Sequence, residues 1–298
     1  MTTLADRYHA KVLLFGEYTV LDGSAAVAIP LASKHGEWTT EINSASGAHQ
    51  GLRLLKTHLT QLYYRNEIQG VDFDRLERDL SKGLSFRSTI PVGYGLGSSG
   101  ALTAAFYDRY FAKEQMSLPQ LKSLLGKIEG AFHGSSSGLD PLVSLLNMPL
   151  LVHPDGDIEI LDSDRSDFHA ATKLIDTGIP RRTAPLVKAY KHTRSVSAEF
   201  ESETKVIADI ADQLISSYVL SNKEQYIAHY KALSIAQLQT LPMLIPEAYK
   251  DLWSQGLEAD AYYMKLSGAG GGGCLLLHVV DEGKTDQLLK EETVISIS

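Results

Sequence analysis

Two glycine-dense runs mark places where this chain could hold an anion. Gly95-Leu-Gly-Ser-Ser-Gly100 and Gly268-Ala-Gly-Gly-Gly-Gly273 both satisfy the pattern G-x-G-x-x-G. Without a Cβ, successive backbone N–H groups can approach a phosphate closely, and a helix starting directly behind adds the positive end of its dipole. The apolar spacing predicts such a helix behind the first run, with Leu102, Ala105, Phe106 and Tyr110 on one face. The hydroxyls of Ser98 and Ser99 fall at its first turn, where they could bind phosphate oxygens or Mg²⁺, a cation that takes hard oxygen ligands. Taken alone, either run is equally well read as a tight strand-to-helix or hairpin connection. A dinucleotide site needs a second strand and an acid about 20 residues downstream, yet residues 101–132 read as helix. The H-R-D and D-F-G triplets of protein kinases are absent, and so is G-x-x-x-x-G-K-[ST].

The elements that must carry these loops can be read from periodicity. Short apolar runs at Lys11–Phe15 and Ala25–Leu31 predict two strands, and the alternating Glu37–Asn43 predicts a third. Leucines at 52, 55, 59 and 62 predict a helix over 50–65, and Ser85–Ile90 reads as a strand ended by Pro91. A further helix places Leu118, Leu121, Leu125, Ile128 and Phe132 inward, with Ser117 as N-cap and Pro119 in its first turn. Strands are expected near 150–153, 158–161 and 173–177, one long helical segment over about 196–238, and strands at Tyr262–Leu266 and Cys274–Val280. The strand-rich first part and helix-rich second part suggest two α+β domains, 1–165 and 166–298.

The bulk numbers set outer limits. With 298 residues the chain can bury a core without disulfides, and its single cysteine, Cys274, excludes an intrachain disulfide and suits a reducing compartment. Cys274 opens an apolar strand and reads as a packed small side chain rather than a nucleophile. The formal charge of −8, from 28 Lys+Arg against 36 Asp+Glu, opposes general attraction to nucleic acid or an anionic membrane. Residues Met1–Ala10 carry no signal-peptide core, and no run approaches the roughly 18 apolar residues of a membrane span. The ten histidines show no H-x-x-x-H spacing. A cytoplasmic enzyme or ligand-binding protein is expected, with a small-molecule substrate and neither nucleic acid nor membrane as partner.

Three segments in order resemble the GHMP kinase family. Lys11-Val-Leu-Leu-Phe-Gly-Glu-Tyr-Thr-Val-Leu-Asp-Gly23 resembles its first motif. Pro91-Val-Gly-Tyr-Gly-Leu-Gly-Ser-Ser-Gly-Ala101 resembles its second, P-x-x-x-G-L-G-S-S-A-A, with Gly100 in place of an alanine. Lys265-Leu-Ser-Gly-Ala-Gly-Gly-Gly-Gly-Cys274 resembles its third. Within that family, His133-Gly-Ser-Ser-Ser-Gly-Leu-Asp140 is similar to the H-G-x-P-S-G-x-D of mevalonate kinases, and Asp176–Val187 to their segment with P-R-x-T before a helix. Two departures fall near the implied substrate pocket: Tyr18 where a histidine is usual, and Ser136 where a proline is usual.

The resemblance implies a two-domain fold, an N-terminal domain like domain 2 of ribosomal protein S5 and a ferredoxin-like C-terminal domain, with ATP between them. It implies transfer of the γ-phosphate of ATP to the 5-hydroxyl of mevalonate. Asp140 would be the base, against the plain reading of an aspartate capping the segment after Gly138. Lys11 would lie near Asp140 and the γ-phosphate, against a solvated lysine at a strand end. Glu129 and Ser99 would hold Mg²⁺, against a surface glutamate, leaving Ser98 for phosphate. The nucleotide would be held by Gly93, Gly95, Leu96, Gly97, Ser98, Ser99, Gly100, Gly270 and Gly271. Glu17, Tyr18 and Thr183 match substrate-pocket positions, although Tyr18 could equally be a core tyrosine. By family analogy a homodimer is expected. Phosphomevalonate kinase is the nearest alternative, since Arg181 and Arg182 could meet a second phosphate. A catalytically silent nucleotide-binding protein is the alternative from another class, and an NAD-dependent oxidoreductase is disfavoured by the missing strand and acid.

Overall fold

The first two strands are β1 (Tyr8–Phe15), buried along most of its length, and β2 (Ala26–Thr39), buried mainly in its first half. A 3-10 turn over Thr19–Asp22, closed by Gly23, lies between them. In this computed structural model the described residues are 7–40, 47–162, 166–181 and 183–297. The strands expected at Ala25–Leu31 and Glu37–Asn43 are one 14-residue strand that runs on through the polar stretch Lys34–Gly36; residues 41–43 lie outside the described set. The remaining elements follow in order: α1 (Gly47–Tyr64), α2 (Phe73–Ser81), β3 (Ser85–Ser88), α3 (Ser98–Tyr110), α4 (Leu118–His133), α5 (Leu139–Leu146), β4 (Leu150–Val152) and β5 (Ile158–Ile160). After them come α6 (Ser166–Ala170), β6 (Thr172–Asp176), α7 (Thr183–Val196), α8 (Ala198–Val219), α9 (Lys223–Thr240), α10 (Glu247–Glu258), β7 (Tyr262–Leu266), β8 (Cys274–Val279), α11 (Glu282–Leu288) and β9 (Thr293–Ser296).

The chain is a mixed α/β protein with two sheets. One runs β1-β2-β4-β5 with β3 added to β2; the other runs β7-β8-β6-β9 and is antiparallel at each junction. Internal contacts define two compact units that interleave in sequence. The first comprises 1–11, 30–91 and 96–148, and the second 12–29, 92–95 and 149–298. The division expected at 165/166 falls beside residues outside the described set.

In the first unit, α3 is the central helix. It is apolar around most of its circumference, with Ala101, Leu102, Ala104, Ala105, Phe106 and Tyr107 all buried, as a helix enclosed by neighbours must be. Its small residues let α5 pack close alongside. The α4 helix starts at the expected cap: the Ser117 hydroxyl accepts from Gln120 N–H and the Gln120 side chain returns to Ser117 N–H.

In the second unit, α8 and α9 form an antiparallel pair. The single long helix expected over 196–238 is broken at Leu220–Asn222, where Ser221 adopts φ 55° and Asn222 caps the next helix. Phe15 sets its ring edge-on to Tyr218, Tyr226 and Tyr230, each such contact worth about 0.5–1.5 kcal/mol beyond area burial. Cys274 is buried, and burial pushes its thiol up to about 12, so it packs as a neutral small side chain. Among the described residues no helix is long and apolar enough to cross a membrane.

His278 on β8 lies against the rings of Tyr226 and Tyr230, at 5.1 and 5.4 Å, and burial pushes its imidazole down to about 4. The folded chain therefore keeps it neutral while the unfolded chain protonates it near its ordinary value of 6.5. This group's contribution is intact above about pH 6.5 and is lost as pH falls toward 4, on the order of 3 kcal/mol in all. Denaturant midpoints measured from pH 7 to 4 should fall less steeply for His278→Phe than for the parent chain; parallel curves would contradict the assignment.

Candidate active site

Unit one gathers four of the expected residues around the start of α3. β1 carries Lys11, whose backbone N–H donates to Leu96 O at 3.0 Å and so ties the strand to the glycine loop. Lys11 is only 6% exposed, and its ammonium lies 3.1 Å from Asp140 Oδ1. Asp140 stands in the first turn of α5, which begins after Gly138 at φ 75°. A Cβ at Gly138 would lie 1.9 Å from Lys122 O, so the turn that presents Asp140 requires glycine. Gly100 makes a second close approach: a Cβ there would meet Asp140 Cβ at 2.8 Å and its carbonyl carbon at 2.9 Å. The alanine-to-glycine departure therefore brings α5 closer to α3 than an alanine would permit.

Glu129 is not the surface residue of the plain reading; it is 3% exposed on the inner face of α4. Ser99 Oγ donates to its Oε1 at 2.8 Å and Ser136 Oγ to its Oε2 at 2.5 Å. Burial pushes its carboxyl up, the nearby Asp140 adds to this, and the two hydroxyls with Lys11 oppose it. His133 Nε2 lies 3.0 Å from Ser99 Oγ. Gly97, at φ 77°, caps α3 and has no side chain to bond the first-turn N–H groups, so Ser98, Ser99 and Gly100 open a helix N-terminus suited to an anion. The donor set also suits Mg²⁺: a buried carboxylate beside a hydroxyl, all hard oxygen. Among the described residues no group of three or more His, Cys, Asp or Glu gathers to hold a metal, so phosphate and water oxygens would have to complete its coordination.

The second unit holds the other glycine loop. Residues 268–273 join β7 to β8 and lie against the early part of the first loop, with a Cβ at Gly273 falling 2.6 Å from Tyr94 O. Arg181 fills the space beside them. Its backbone N–H donates to Gly93 O at 3.2 Å and its Nη1 to Ser267 O at 2.5 Å. A side chain at Gly95 or Gly268 would collide with the guanidinium, which fixes a cation beside both loops. Gly270 and Gly271 pack on Leu244 and Leu186, and Thr183 stands exposed at the first position of α7. Arg182 lies outside the described residues.

Glu17 and Tyr18 occupy the interior of this second unit. Glu17 is 3% exposed, and Lys265 Nζ donates to its Oε1 at 2.6 Å. Burial pushes the Glu17 carboxyl up and the Lys265 ammonium down, each resisted by the other's charge, and Gly268 N–H also bonds the carboxylate. Tyr18 adopts φ 60°, a conformation that costs about 1–3 kcal/mol for a bulky residue. Its hydroxyl donates to Ala269 O at 2.8 Å, its ring lies 4.4 Å from that of Tyr190, and burial pushes its phenol up to about 12. Both residues thus hold the 268–273 loop, and the core reading of Tyr18 fits its surroundings. Sequence reasoning did not single out Lys265 as a partner of Glu17, nor Ser136 and His133 as partners in the Glu129 cluster.

Removing one member of a buried ion pair strands the other charge. Lys265→Met should destabilise the chain by about 3–5 kcal/mol, and Glu17→Gln in the same chain should recover a large part of it. Denaturant unfolding of the three variants checks this; additive losses would show that the two groups do not interact.

Residues 55–147 match the family described as GHMP kinases N terminal domain. The mevalonate kinase of Thermococcus sibiricus is 26% identical over 307 residues, covering 89% of this chain and 86% of that relative. The solved mevalonate kinase of Methanococcus jannaschii superposes with a TM-score of 0.65 at 18% identity, covering 97% of this chain and 96% of the other. The galactose-bound galactokinase of Lactococcus lactis superposes equally well, with a TM-score of 0.66 at 13% identity over 97% of this chain and 92% of the other. The solved structures show a shared fold, residues 55–147 carry the GHMP kinase N-terminal domain, and over most of its length the chain is similar to mevalonate kinases.

Proposed function

We propose that this protein is an ATP-dependent kinase that phosphorylates the 5-hydroxyl of mevalonate. The observation that carries the reading is the Lys11–Asp140 pair, 3.1 Å apart beside Gly97, which caps α3. ATP use follows from the family; the acceptor rests on relatives that are named mevalonate kinase over 89% of this chain.

In this reading Asp140 accepts the proton of the acceptor hydroxyl at a carboxylate oxygen. Lys11, 3.1 Å from that carboxylate, offsets negative charge developing on the transferred group. Phosphoryl transfer asks a protein chiefly for positioning and charge stabilisation, and both are tasks of these side chains. The backbone of Gly95–Gly100 and the Ser98 hydroxyl hold phosphate oxygens at the start of α3. Ser99 and Glu129 would hold Mg²⁺, which would supply charge neutralisation of the phosphates. In the second unit, Gly270 and Gly271 belong to the nucleotide loop, and Arg181 supplies a fixed cation beside it. Glu17 and Tyr18 shape that loop from beneath.

A coupled ADP-release assay with Mg·ATP, comparing mevalonate, 5-phosphomevalonate and galactose at equal concentration, tests the proposal. Turnover should be fastest with mevalonate. Asp140→Asn should fold normally and lose about 10²–10⁴-fold in kcat, and Lys11→Met about 10²-fold. A preference for 5-phosphomevalonate would move the acceptor one phosphorylation further; near-parental turnover by Asp140→Asn would remove that residue from proton transfer. Glu129→Gln and Ser99→Ala should each raise the Mg²⁺ concentration needed for half-maximal rate, and no change in either would exclude them as ligands.

A further inference from the structure

The Glu129 carboxylate is held on both oxygens, and the two holders come from different places. Ser99 belongs to α3 and bonds Oε1. Ser136 belongs to the loop between α4 and α5 and bonds Oε2 at 2.5 Å. The Ser136 oxygen also accepts the Gly138 N–H at 3.0 Å. A hydroxyl has one proton, and with the backbone donating to the oxygen that proton is directed to Glu129. The terminal torsion of a glutamate is broad, so an unrestrained carboxylate would sweep past the orientation in which Oε1 stands beside Ser99 Oγ. A proline, the residue usual at this position in similar segments, has no hydroxyl with which to restrain it. The loop is itself fixed: a Cβ at Gly126 on α4 would sit 2.9 Å from Ser136 O, so backbone and helix are in direct contact there.

We propose that Ser136 is a positioning residue for the divalent-cation site, pinning Glu129 Oε2 so that Oε1 and Ser99 Oγ face the cation as a pre-set pair. The inference rests on the reading of Glu129 and Ser99 as Mg²⁺ ligands. The competing account is that Ser136 only stiffens the loop leading to Asp140 through its bond with Gly138. The two accounts differ in what they predict for metal affinity, because a loop role leaves the carboxylate free to bind.

The test measures Mn²⁺ binding directly, by the electron paramagnetic resonance signal of free Mn²⁺ in the presence of the protein and a non-hydrolysable ATP analogue. Alongside it are thermal melts and the split between kcat at saturating Mg²⁺ and the Mg²⁺ concentration for half-maximal rate. Ser136→Ala should weaken Mn²⁺ binding about tenfold, the range of lost outer contacts to metal ligands, and Ser136→Thr should restore it to within about twofold. In a Glu129→Gln chain, the same Ser136→Ala change should have no further effect on metal affinity. If Ser136→Ala does not fold, Ser136→Cys, a weak donor of similar size, takes its place with the same expectation. Unchanged Mn²⁺ affinity in Ser136→Ala, with a lower melting temperature or kcat, would overturn the proposal in favour of the loop role. Unchanged affinity in Glu129→Gln as well would place the failure in the ligand assignment itself.

Discussion

Two carboxylates packed around one cation set the constraint of the first unit, and that cation is Lys11. Its ammonium is nearly buried and 3.1 Å from Asp140, while Glu129, a second carboxylate, lies close enough for Asp140 to raise its proton affinity. Two acids and one base in so small a volume are tolerable only because every oxygen of Glu129 has a hydroxyl partner and Asp140 keeps partial access to water. The surrounding elements serve this balance. β1 delivers the lysine from a strand whose backbone is bonded to the glycine loop, and α5 delivers the aspartate in a first turn that only glycine can precede. Gly100 lets the start of α5, with Asp140, come close to the first turn of α3.

The second unit answers a different requirement, that of a backbone loop rich in glycine which would otherwise sample many shapes. Residues 268–273 carry little side-chain mass of their own, so their conformation has to be imposed by neighbours. Glu17 bonds Gly268 N–H, Tyr18 bonds Ala269 O, and Arg181 bonds Ser267 O. The strained backbone of Tyr18 is part of this arrangement, because its positive φ brings the hydroxyl to the loop.

Much of this was readable from local pattern, and the misses have local physical causes. The glycine loops, the cap at Ser117, the helix α3 and the strands β7 and β8 follow from composition and period within a few residues of where they occur. The break between α8 and α9 was not readable, because a left-handed Ser221 carries none of the glycine or proline signal that usually ends a helix. The continuity of β2 was missed because Lys34 and His35 look like a turn when read without the strand that pairs beside them. Lys11, Ser99, Glu129 and Asp140 came from motif resemblance, and nothing in their spacing alone would have joined them. Glu17 was expected beside a substrate; its role as a buried partner depends on a lysine far along the chain, which no window of sequence contains. Ser136 was visible as a departure from a pattern, but its bond to Glu129 depends on how the loop turns after α4.

The Glu17–Lys265 pair also bears on how the molecule comes into being. The two residues are separated by 248 positions, so during translation Glu17 emerges long before its counter-charge exists. Until then its carboxylate can stay ionised only in water, which keeps the strand-turn segment carrying Glu17 from closing into its final interior. The first unit, whose last segment ends at residue 148, has all its charges available earlier. Synthesis therefore imposes an order in which the half bearing Asp140 can mature while the half bearing the second glycine loop waits for the ribosome to deliver β7.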